Sequence, residues 1–379
     1  MQKPDFSNSI VNLMSSIAAA SGVQSPYSSL DFLDFLNESK NIILMIVDGL
    51  GYNYLQKYGA GTALRKNVRG SITSVFPPST GPAITSFLTG LAPQQHNITG
   101  WYVHLAELGL VSRILPYTNA VDGNVINIPI SRVIDVDGLL KGVNREYIMI
   151  YDHQIVNSEY TKHLGGHARR IGYSDIDSFF DIISQTISKM KKQSYLYCYW
   201  PTLDSISHLL GCESQEAKKH LLEFDEKLQM FIERIAGSDT TLLITADHGF
   251  NDVSLDDIVY TRDHPRLMQC LSLPVCGDTR TGFCYVRPSK VTMFEKYIDV
   301  DLDEVCEFRK SNDLIAEGWF GLNDPHPRLS DRVGDYTLFF NEGYALINCF
   351  PGLEPPELRG HHGGVSSDEM DVPLIVIDS

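Results

Sequence analysis

Four short apolar runs along the chain each predict a buried strand. They are Ile42–Val47, Tyr195–Trp200, Thr240–Thr245 and Val372–Ile377. Continuous hydrophobic runs that contain many β-branched residues are typical of parallel sheets covered by helices on both faces. The runs therefore predict a mostly parallel central sheet.

Apolar residues recur at helical spacing between these runs, over Pro82–Leu88, Ile176–Met190 and Gln215–Ile235. Strands that alternate with helices predict an α/β fold with helices on both faces of the central sheet. The N-terminal segment also has helical spacing from Ile10 to Ile17, and polar residues interrupt its apolar positions. That pattern favours an amphipathic helix over a cleaved signal peptide.

The stretch from residue 260 to residue 343 breaks the alternation, because it is rich in Pro, Arg and Asp and contains only short β-like pieces. These pieces are Phe283–Val286 and Tyr336–Phe340. A chain of 379 residues exceeds the usual size of a single core. We therefore expect a metal-dependent catalytic core over residues 1–259 and 344–379 and a smaller inserted α+β subdomain over 260–343, with residues 101–174 as a candidate further lobe.

Acidic residues follow three of the predicted strands. Asp48 and Asp247 come at or just after the ends of their strands, and Asp204 lies four residues beyond Trp200. Ligands of open α/β sheets bind beyond the carboxyl ends of the strands. The three carboxylates therefore predict one shared site assembled from distant segments.

Histidines accompany these acids in a pattern that suits metal ligation. Asp204 and His208 are four residues apart, so a helical turn would place them on one face. His248 follows Asp247 directly, and His361 and His362 lie between glycines. Each pattern also has a structural alternative. Asp204 and His208 could be an exposed surface pair, and Asp247 with His248 could form a capped turn. His361 and His362 could be a solvated histidine pair.

Taken together, these residues supply enough ligands for two divalent metal ions. Mixed histidine and carboxylate ligation suits zinc, while manganese and iron also accept such ligands. The sequence therefore predicts two metal ions, with zinc preferred.

Thr80 lies where a β-like run enters the helix that contains Pro82. This placement predicts the N-cap of that helix, and a helix N-terminus favours a phosphate group. A threonine hydroxyl beside a metal can lose its proton and attack phosphorus. Capping alone remains the structural alternative at this residue.

The composition limits the partners of the chain. It carries 47 acidic and 31 basic residues, for a formal net charge of −16. Anionic partners such as duplex nucleic acid and membrane surfaces are therefore not expected. Seven cysteines without a CxxC pair predict reduced thiols and a cytoplasmic location, and no apolar run reaches the length that spans a membrane.

The motifs together resemble the alkaline phosphatase superfamily, and within it the nucleotide pyrophosphatase/phosphodiesterase branch with its prokaryotic type I relatives. The resemblance covers residues 40–115, 190–255 and 355–379. It is carried, in chain order, by Asp48, Phe76–Gly90, Asp204 with His208, Asp247-His248-Gly249 and His362-Gly363-Gly364.

The resemblance implies a function and assigns roles to these residues. It implies two metals, one held by Asp204, His208 and His362 and the other by Asp48, Asp247 and His248. The second metal would also contact Thr80, the implied nucleophile. His362 is preferred to His361 because it directly precedes the two glycines.

One departure from the family pattern is Ala83, where the family usually carries asparagine. Preference for diesters or monoesters therefore stays open. The resemblance favours a phosphodiesterase or nucleotide pyrophosphatase that acts on a small phosphoester, with nucleotides as candidates. A phosphomonoesterase, phosphonate hydrolase or phosphomutase is the alternative, and a non-catalytic metal-stabilised binding protein is the second alternative.

Three aromatic residues near the motifs are candidates for substrate contact: Phe76, Trp101 and Tyr102. Their rings could stack on a base or an aryl group. Packing in the hydrophobic core is the alternative for each of them.

Overall fold

The computed structural model describes residues 1–350 and 352–379. Numbered in chain order, its strands are β1 (Asn41–Val47), β2 (Val68–Thr73), β3 (Tyr102–Leu105), β4 (Leu110–Arg113), β5 (Thr118–Asn119), β6 (Glu146–Asp152), β7 (Arg169–Tyr173), β8 (Ser194–Trp200), β9 (Thr240–Thr245), β10 (Asn251–Asp252), β11 (Ile258–Tyr260), β12 (Cys276–Gly277), β13 (Thr281–Cys284), β14 (Cys306–Lys310), β15 (Tyr336–Phe340), β16 (Ala345–Ile347), β17 (Gly360–His361) and β18 (Asp371–Asp378).

Its α-helices are α1 (Ile10–Ala19), α2 (Tyr52–Tyr58), α3 (Ala63–Lys66), α4 (Thr80–Thr89), α5 (Pro93–His96), α6 (Glu159–Gly165), α7 (Ile176–Lys189), α8 (Thr202–Leu210), α9 (Gln215–Ile235), α10 (Pro265–Cys270), α11 (Val291–Asp301), α12 (Ser311–Ala316), α13 (Leu329–Val333) and α14 (Ser367–Met370). The four predicted strands and three predicted helices are all confirmed, with small shifts at their ends.

A seven-stranded central sheet has the strand order β2-β18-β9-β1-β8-β6-β7. Strand β1 pairs in parallel with β8 and β9, and β6 pairs in parallel with β7 and β8. The C-terminal strand β18 is antiparallel to both of its neighbours. The predicted mostly parallel sheet is therefore confirmed, with β18 as its exception.

The hydrophobic runs form strands of this sheet because both faces are covered. All seven residues of β1 and of β8 are buried. Helices α7, α8 and α3 pack around α9, while α1 and α6 pack against α4. A strand buried on both faces has no water-facing side, which is why its sequence does not alternate.

Helix α1 is buried more completely than an amphipathic pattern predicts. Its apolar side chains from Ile10 to Ile17 lie in the core, and Asn12 is also fully buried. The Asn12 amide donates to the carbonyl oxygens of Phe6 and Ser28, both at 2.9 Å. Its polar position is therefore satisfied by the protein rather than by water.

A second seven-stranded sheet has the order β14-β15-β13-β12-β3-β4-β5, and each neighbouring pair is antiparallel. It joins residues 102–119 with residues 276–340, two segments that look unrelated in the sequence. Strands β6 and β7, from the segment proposed as a further lobe, belong instead to the central sheet. The domain boundaries given above remain a prediction.

Two further features concern the whole described chain. Within residues 1–350 and 352–379, no helix combines the length and hydrophobicity needed to cross a membrane. All seven cysteines are free thiols, and six of them are buried.

The burial of α1 generates a stability prediction. Leu13 is 0% exposed whereas Leu222 on α9 is 54% exposed. We expect Leu13→Ala to lower the free energy of unfolding by about 2–5 kcal/mol, because it opens a cavity in the core. Leu222→Ala should change it by less than about 0.5 kcal/mol. Denaturant titration measures both, and equal effects would contradict this placement of α1.

Candidate metal centre

The register of the central sheet brings three acidic residues to one edge. Val47 of β1 lies beside Trp200 of β8, and Ile46 lies beside Thr245 of β9. Because the three strands are parallel, the residues that follow them emerge together. Asp48 follows β1, Asp247 follows β9, and Asp204 lies in the first turn of α8 after β8.

The first group of candidate ligands is centred on His248. Its Nε2 atom lies 3.4 Å from Asp48 Oδ1 and 3.4 Å from Asp247 Oδ2. The Thr80 hydroxyl oxygen lies 3.2 Å from the same nitrogen. Asp48, Asp247 and His248 are each almost completely buried.

Hydrogen bonds orient this group. The Nδ1 atom of His248 lies 3.1 Å from the Gly249 carbonyl oxygen, which can only accept. Nδ1 therefore carries the proton, and Nε2 presents its lone pair to the group. The Tyr199 hydroxyl donates to Asp48 Oδ2, and the amide of Gly49 donates to Asp247 Oδ1 at 3.2 Å. The other oxygen of each carboxylate is left facing His248.

The second group contains Asp204 and His362, whose ligand atoms lie within 4.8 Å of one another and of His248. His208 Nε2 lies 3.4 Å from Asp204 Oδ1, and its ring centroid lies 5.0 Å from that of His362. The Nδ1 atom of His208 lies 2.9 Å from the Gly360 carbonyl oxygen, which again leaves Nε2 free to bind.

The unpaired atoms of these groups fit divalent metal ions. Four buried atoms have no hydrogen-bond partner among the described residues: Asp48 Oδ1, Asp204 Oδ1, Asp247 Oδ2 and His362 Nδ1. Such atoms are costly to bury unless something binds them. A tetrahedral zinc site with bonds of roughly 2.0–2.2 Å spaces its ligands about 3.3–3.6 Å apart. The spacing around His248 is close to that range.

Without bound cations, the surroundings of these carboxyl groups disfavour their ionised forms. Burial raises the pKa of Asp48 well above its usual value, and repulsion from Asp247 and Asp204 raises it further. Burial also raises the pKa of Asp204 and lowers that of His362. Bound cations would reverse these shifts, because they stabilise ionised carboxylates and neutral imidazoles.

Thr80 lies beside the first group but does not occupy the predicted capping position. Helix α4 begins at Thr80, and Ser79 occupies the N-cap. The prediction that Thr80 caps the helix is therefore wrong by one residue. As the first helical residue, Thr80 points its hydroxyl at His248, while the backbone N–H groups of the first turn lie beside it.

The two adjacent histidines are separated by the structure. His361 lies in β17, where its Nδ1 is 3.2 Å from the Thr279 hydroxyl and its Nε2 is 3.2 Å from the Leu358 carbonyl oxygen. The ring of His362 instead stacks on that of His248, with centroids 3.8 Å apart. Position 362 therefore faces the candidate metal centre, while position 361 faces away.

Two cavities open beside Thr80 and share Trp101 and Asp204. The smaller cavity, of about 290 Å³, is lined by His208, His362 and Asp278, among others. The larger cavity, of about 450 Å³, is lined by Asp48, Tyr151, Tyr160 and Tyr199, among others.

The three aromatic candidates for substrate contact divide between cavity and core. Trp101 and Tyr102 line the smaller cavity, and Trp101 also lines the larger one. Phe76 is 0% exposed and packs on Trp319, Phe320 and Phe339. The expectation that Phe76 contacts substrate is therefore corrected, because its ring is surrounded by other core rings.

The structure also shows where the side chain of Ala83 lies. Its side chain is fully buried in the main core cluster and lines neither cavity. In this chain, position 83 on α4 faces the core, so its identity bears on packing rather than on substrate preference.

Four residues that support the candidate metal centre or line its cavity were not predicted from the sequence in these roles: Tyr199, Asp278 and the pair Arg280 and Glu369. Tyr199, a residue of strand β8, donates its hydroxyl to Asp48 and so orients that carboxylate. Asp278 lies in the smaller cavity and accepts a hydrogen bond from Ser79. The buried pair Arg280–Glu369, at 2.8 Å, binds the Gly364 amide through Glu369 at 2.7 Å and so supports the His362 loop. Asp278 and Arg280 follow no apolar strand run, so periodicity gave no indication of them.

Comparisons with known proteins identify a family and a shared fold. The family model described as type I phosphodiesterase / nucleotide pyrophosphatase matches residues 42–364. Murine ectonucleotide pyrophosphatase / phosphodiesterase 5 is 17% identical with a TM-score of 0.61, over 88% of this chain and 87% of that chain. An inactive variant of that murine protein has been solved in complex with AMP.

A second type of relative also shares the fold. Phosphonoacetate hydrolase from Sinorhizobium meliloti 1021, solved with phosphonoformate, is 16% identical with a TM-score of 0.59, over 88% of this chain and 89% of that chain. No curated protein matches the chain in sequence. At these identities the solved structures show a common fold.

The opposite orientations of His361 and His362 generate a prediction about metal content. We expect His362→Ala to lower the bound metal from two ions per chain towards one, because a ligand is lost. His361→Gln should retain both ions, since its ring faces away from the centre. Inductively coupled plasma mass spectrometry of the dialysed proteins measures both, and equal metal loss in the two variants would contradict the assignment.

Proposed function

Because the chain belongs to the type I phosphodiesterase / nucleotide pyrophosphatase family of phosphoester hydrolases, we propose that it hydrolyses phosphodiesters or nucleotide pyrophosphates with two metal ions and a phosphothreonine intermediate at Thr80. One observation carries the proposal. Four buried ligand atoms without hydrogen-bond partners among the described residues converge beside the Thr80 hydroxyl. A binding protein would need neither this hydroxyl nor so complete a set of ligands.

We assign the ligands according to the two groups. Asp48, Asp247 and His248 would hold one ion, with Thr80 in contact with it. Asp204, His208 and His362 would hold the other. Zinc is the proposed metal, with manganese and iron as alternatives. Bound in these positions, the ions would stabilise the Thr80 alkoxide and the charge on the reacting phosphoryl oxygens.

The residues of the chain account for the remaining chemistry. Thr80 gives its proton to water and its oxygen attacks phosphorus in line, so a new O–P bond forms as the bond to the leaving oxygen breaks. The N-terminus of the ten-residue helix α4 stabilises the negative phosphoryl group through its backbone N–H groups. Water then hydrolyses the phosphothreonine and restores the hydroxyl.

A small phosphoester is the proposed substrate. The AMP complex of the murine relative makes nucleotides one candidate, and the half-buried ring of Trp101 offers a surface for stacking. Phosphonate hydrolysis is the second candidate, because phosphonoacetate hydrolase shares the fold over most of both chains.

The role of Thr80 generates the first functional prediction. We expect Thr80→Ala to lower kcat on a phosphodiester by at least about 10³-fold, because it removes the proposed nucleophile. Metal content and the unfolding midpoint should stay unchanged. Thr89→Val, at the other end of α4, serves as a control that should retain turnover. Substantial turnover by Thr80→Ala would reject the covalent scheme.

A second functional prediction distinguishes between the candidate functions. We expect faster hydrolysis of bis-p-nitrophenyl phosphate than of p-nitrophenyl phosphate, with both activities lost after chelation and restored by zinc. A preference for the monoester would favour the phosphomonoesterase alternative. Inactivity of the zinc-loaded protein on both esters would favour the non-catalytic alternative.

A further inference from the structure

The smaller cavity beside Thr80 has a wall that is partly apolar and partly acidic. Its apolar and aromatic lining includes Trp101, Tyr102, Val275, Leu346 and Leu358. Asp278 is an acidic residue in this wall that belongs to neither group of candidate ligands. In the part of the chain that the structure describes, no lysine or arginine lines this cavity or the larger one.

Asp278 is held firmly in the wall. Its side chain is 6% exposed, its Oδ2 accepts from the Ser79 hydroxyl, and its Oδ1 accepts from the Thr279 amide at 2.8 Å. Burial raises the pKa of Asp278, while the two donors and the nearby rings of His208 and His248 favour its ionised form. Asp278 Oδ2 lies 3.9 Å from His362 Nδ1, so the carboxylate adjoins the candidate metal centre.

The second sheet fixes Asp278 beside the aromatic residues. Gly277, with φ of +91°, pairs with Tyr102 where β12 meets β3. A Cβ atom at Gly100 would lie 2.5 Å from the Gly277 backbone, so only glycine permits this close approach. Trp101 and Asp278 therefore flank the cavity as parts of one rigid wall.

Arg113, which lies opposite Tyr102 in the second sheet, and Arg280, two residues after Asp278, do not line this cavity. Arg280 pairs with Glu369 at 2.8 Å, and the Arg113 side chain extends towards Gly123. Arg328 also lies outside the lining of this cavity, and it donates to Glu107 at 2.8 Å. A second phosphate on the substrate would therefore find no cationic side chain in this cavity.

The direction of the reaction places the leaving group in the smaller cavity. An in-line displacement expels it on the side opposite the Thr80 oxygen. Thr80 lines both cavities. Of the two, the smaller one contains His208 and His362, ligands proposed for the second ion, which would lie on the leaving-group side.

Building on the proposed function, we propose that Asp278 is a specificity-determining residue that rejects negatively charged leaving groups. The substrate class is a phosphodiester with an uncharged, largely apolar leaving alcohol, rather than a nucleoside polyphosphate. A carboxylate facing a second anion across a partly desolvated cavity disfavours that substrate. The leaving oxygen keeps the electron pair of the broken P–O bond and takes a proton from water.

Two diesters with the same methylphosphoryl group test the proposal. One carries a p-nitrophenyl leaving group, and the other carries the same ring with a carboxylate meta to the phenol oxygen. We expect the ratio of kcat/KM, uncharged to anionic, to fall about tenfold in Asp278→Asn, because the repulsion is removed. Asn348→Lys, which places a cation in the same wall, should lower the ratio as well.

The exposed Asp256→Asn variant is the matched control and should keep the wild-type ratio. If Asp278→Asn folds poorly, as judged by its metal content, the ratio of kcat/KM measured for Asn348→Lys tests the inference instead. A wild-type ratio in both cavity variants would overturn the inference while leaving the proposed function intact. Inactivity of the zinc-loaded wild type on both esters would overturn the proposed function and the inference together.

Discussion

The structure depends on one electrostatic constraint: three carboxylates are buried together at the carboxyl edge of a parallel sheet. Asp48, Asp204 and Asp247 cannot separate, because they follow neighbouring strands whose register is fixed by the buried apolar runs. Burial and mutual repulsion make ionised carboxylates costly in this position. Cations bound between them would offset that cost, so the sheet that stabilises the fold also creates a site suited to metals.

The second sheet contributes the proposed selectivity for the leaving group. It carries no candidate ligand, yet its pairing of Gly277 with Tyr102 builds the wall of the smaller cavity. The adjoining Arg280–Glu369 pair supports the glycine turn after His362. On the proposed function, the central sheet determines where phosphorus reacts and the second sheet determines which leaving group fits. Changes in the second sheet can alter specificity without disturbing the metal centre.

Much of this organisation could be predicted from the sequence, since it depends on local patterns. Apolar runs identify the central strands, and acids beyond their ends identify the edge where Asp48, Asp204 and Asp247 meet. The direction of single side chains could not be predicted in the same way. Phe76 and Ala83 adjoin the nucleophile in sequence but face the core, because Phe76 packs among aromatic rings before α4 begins and Ala83 belongs to the main core cluster. Asp278 was missed because it reaches the site through strand pairing between segments far apart in the chain.

We expect two cations to occupy the two groups of ligands. Anomalous diffraction from crystals of the zinc-loaded protein, collected on both sides of the zinc absorption edge, would locate them. Two anomalous peaks are expected, one among Asp48, Asp247 and His248 and one among Asp204, His208 and His362. A single peak elsewhere, or no peak at either group, would exclude a two-metal centre at these residues.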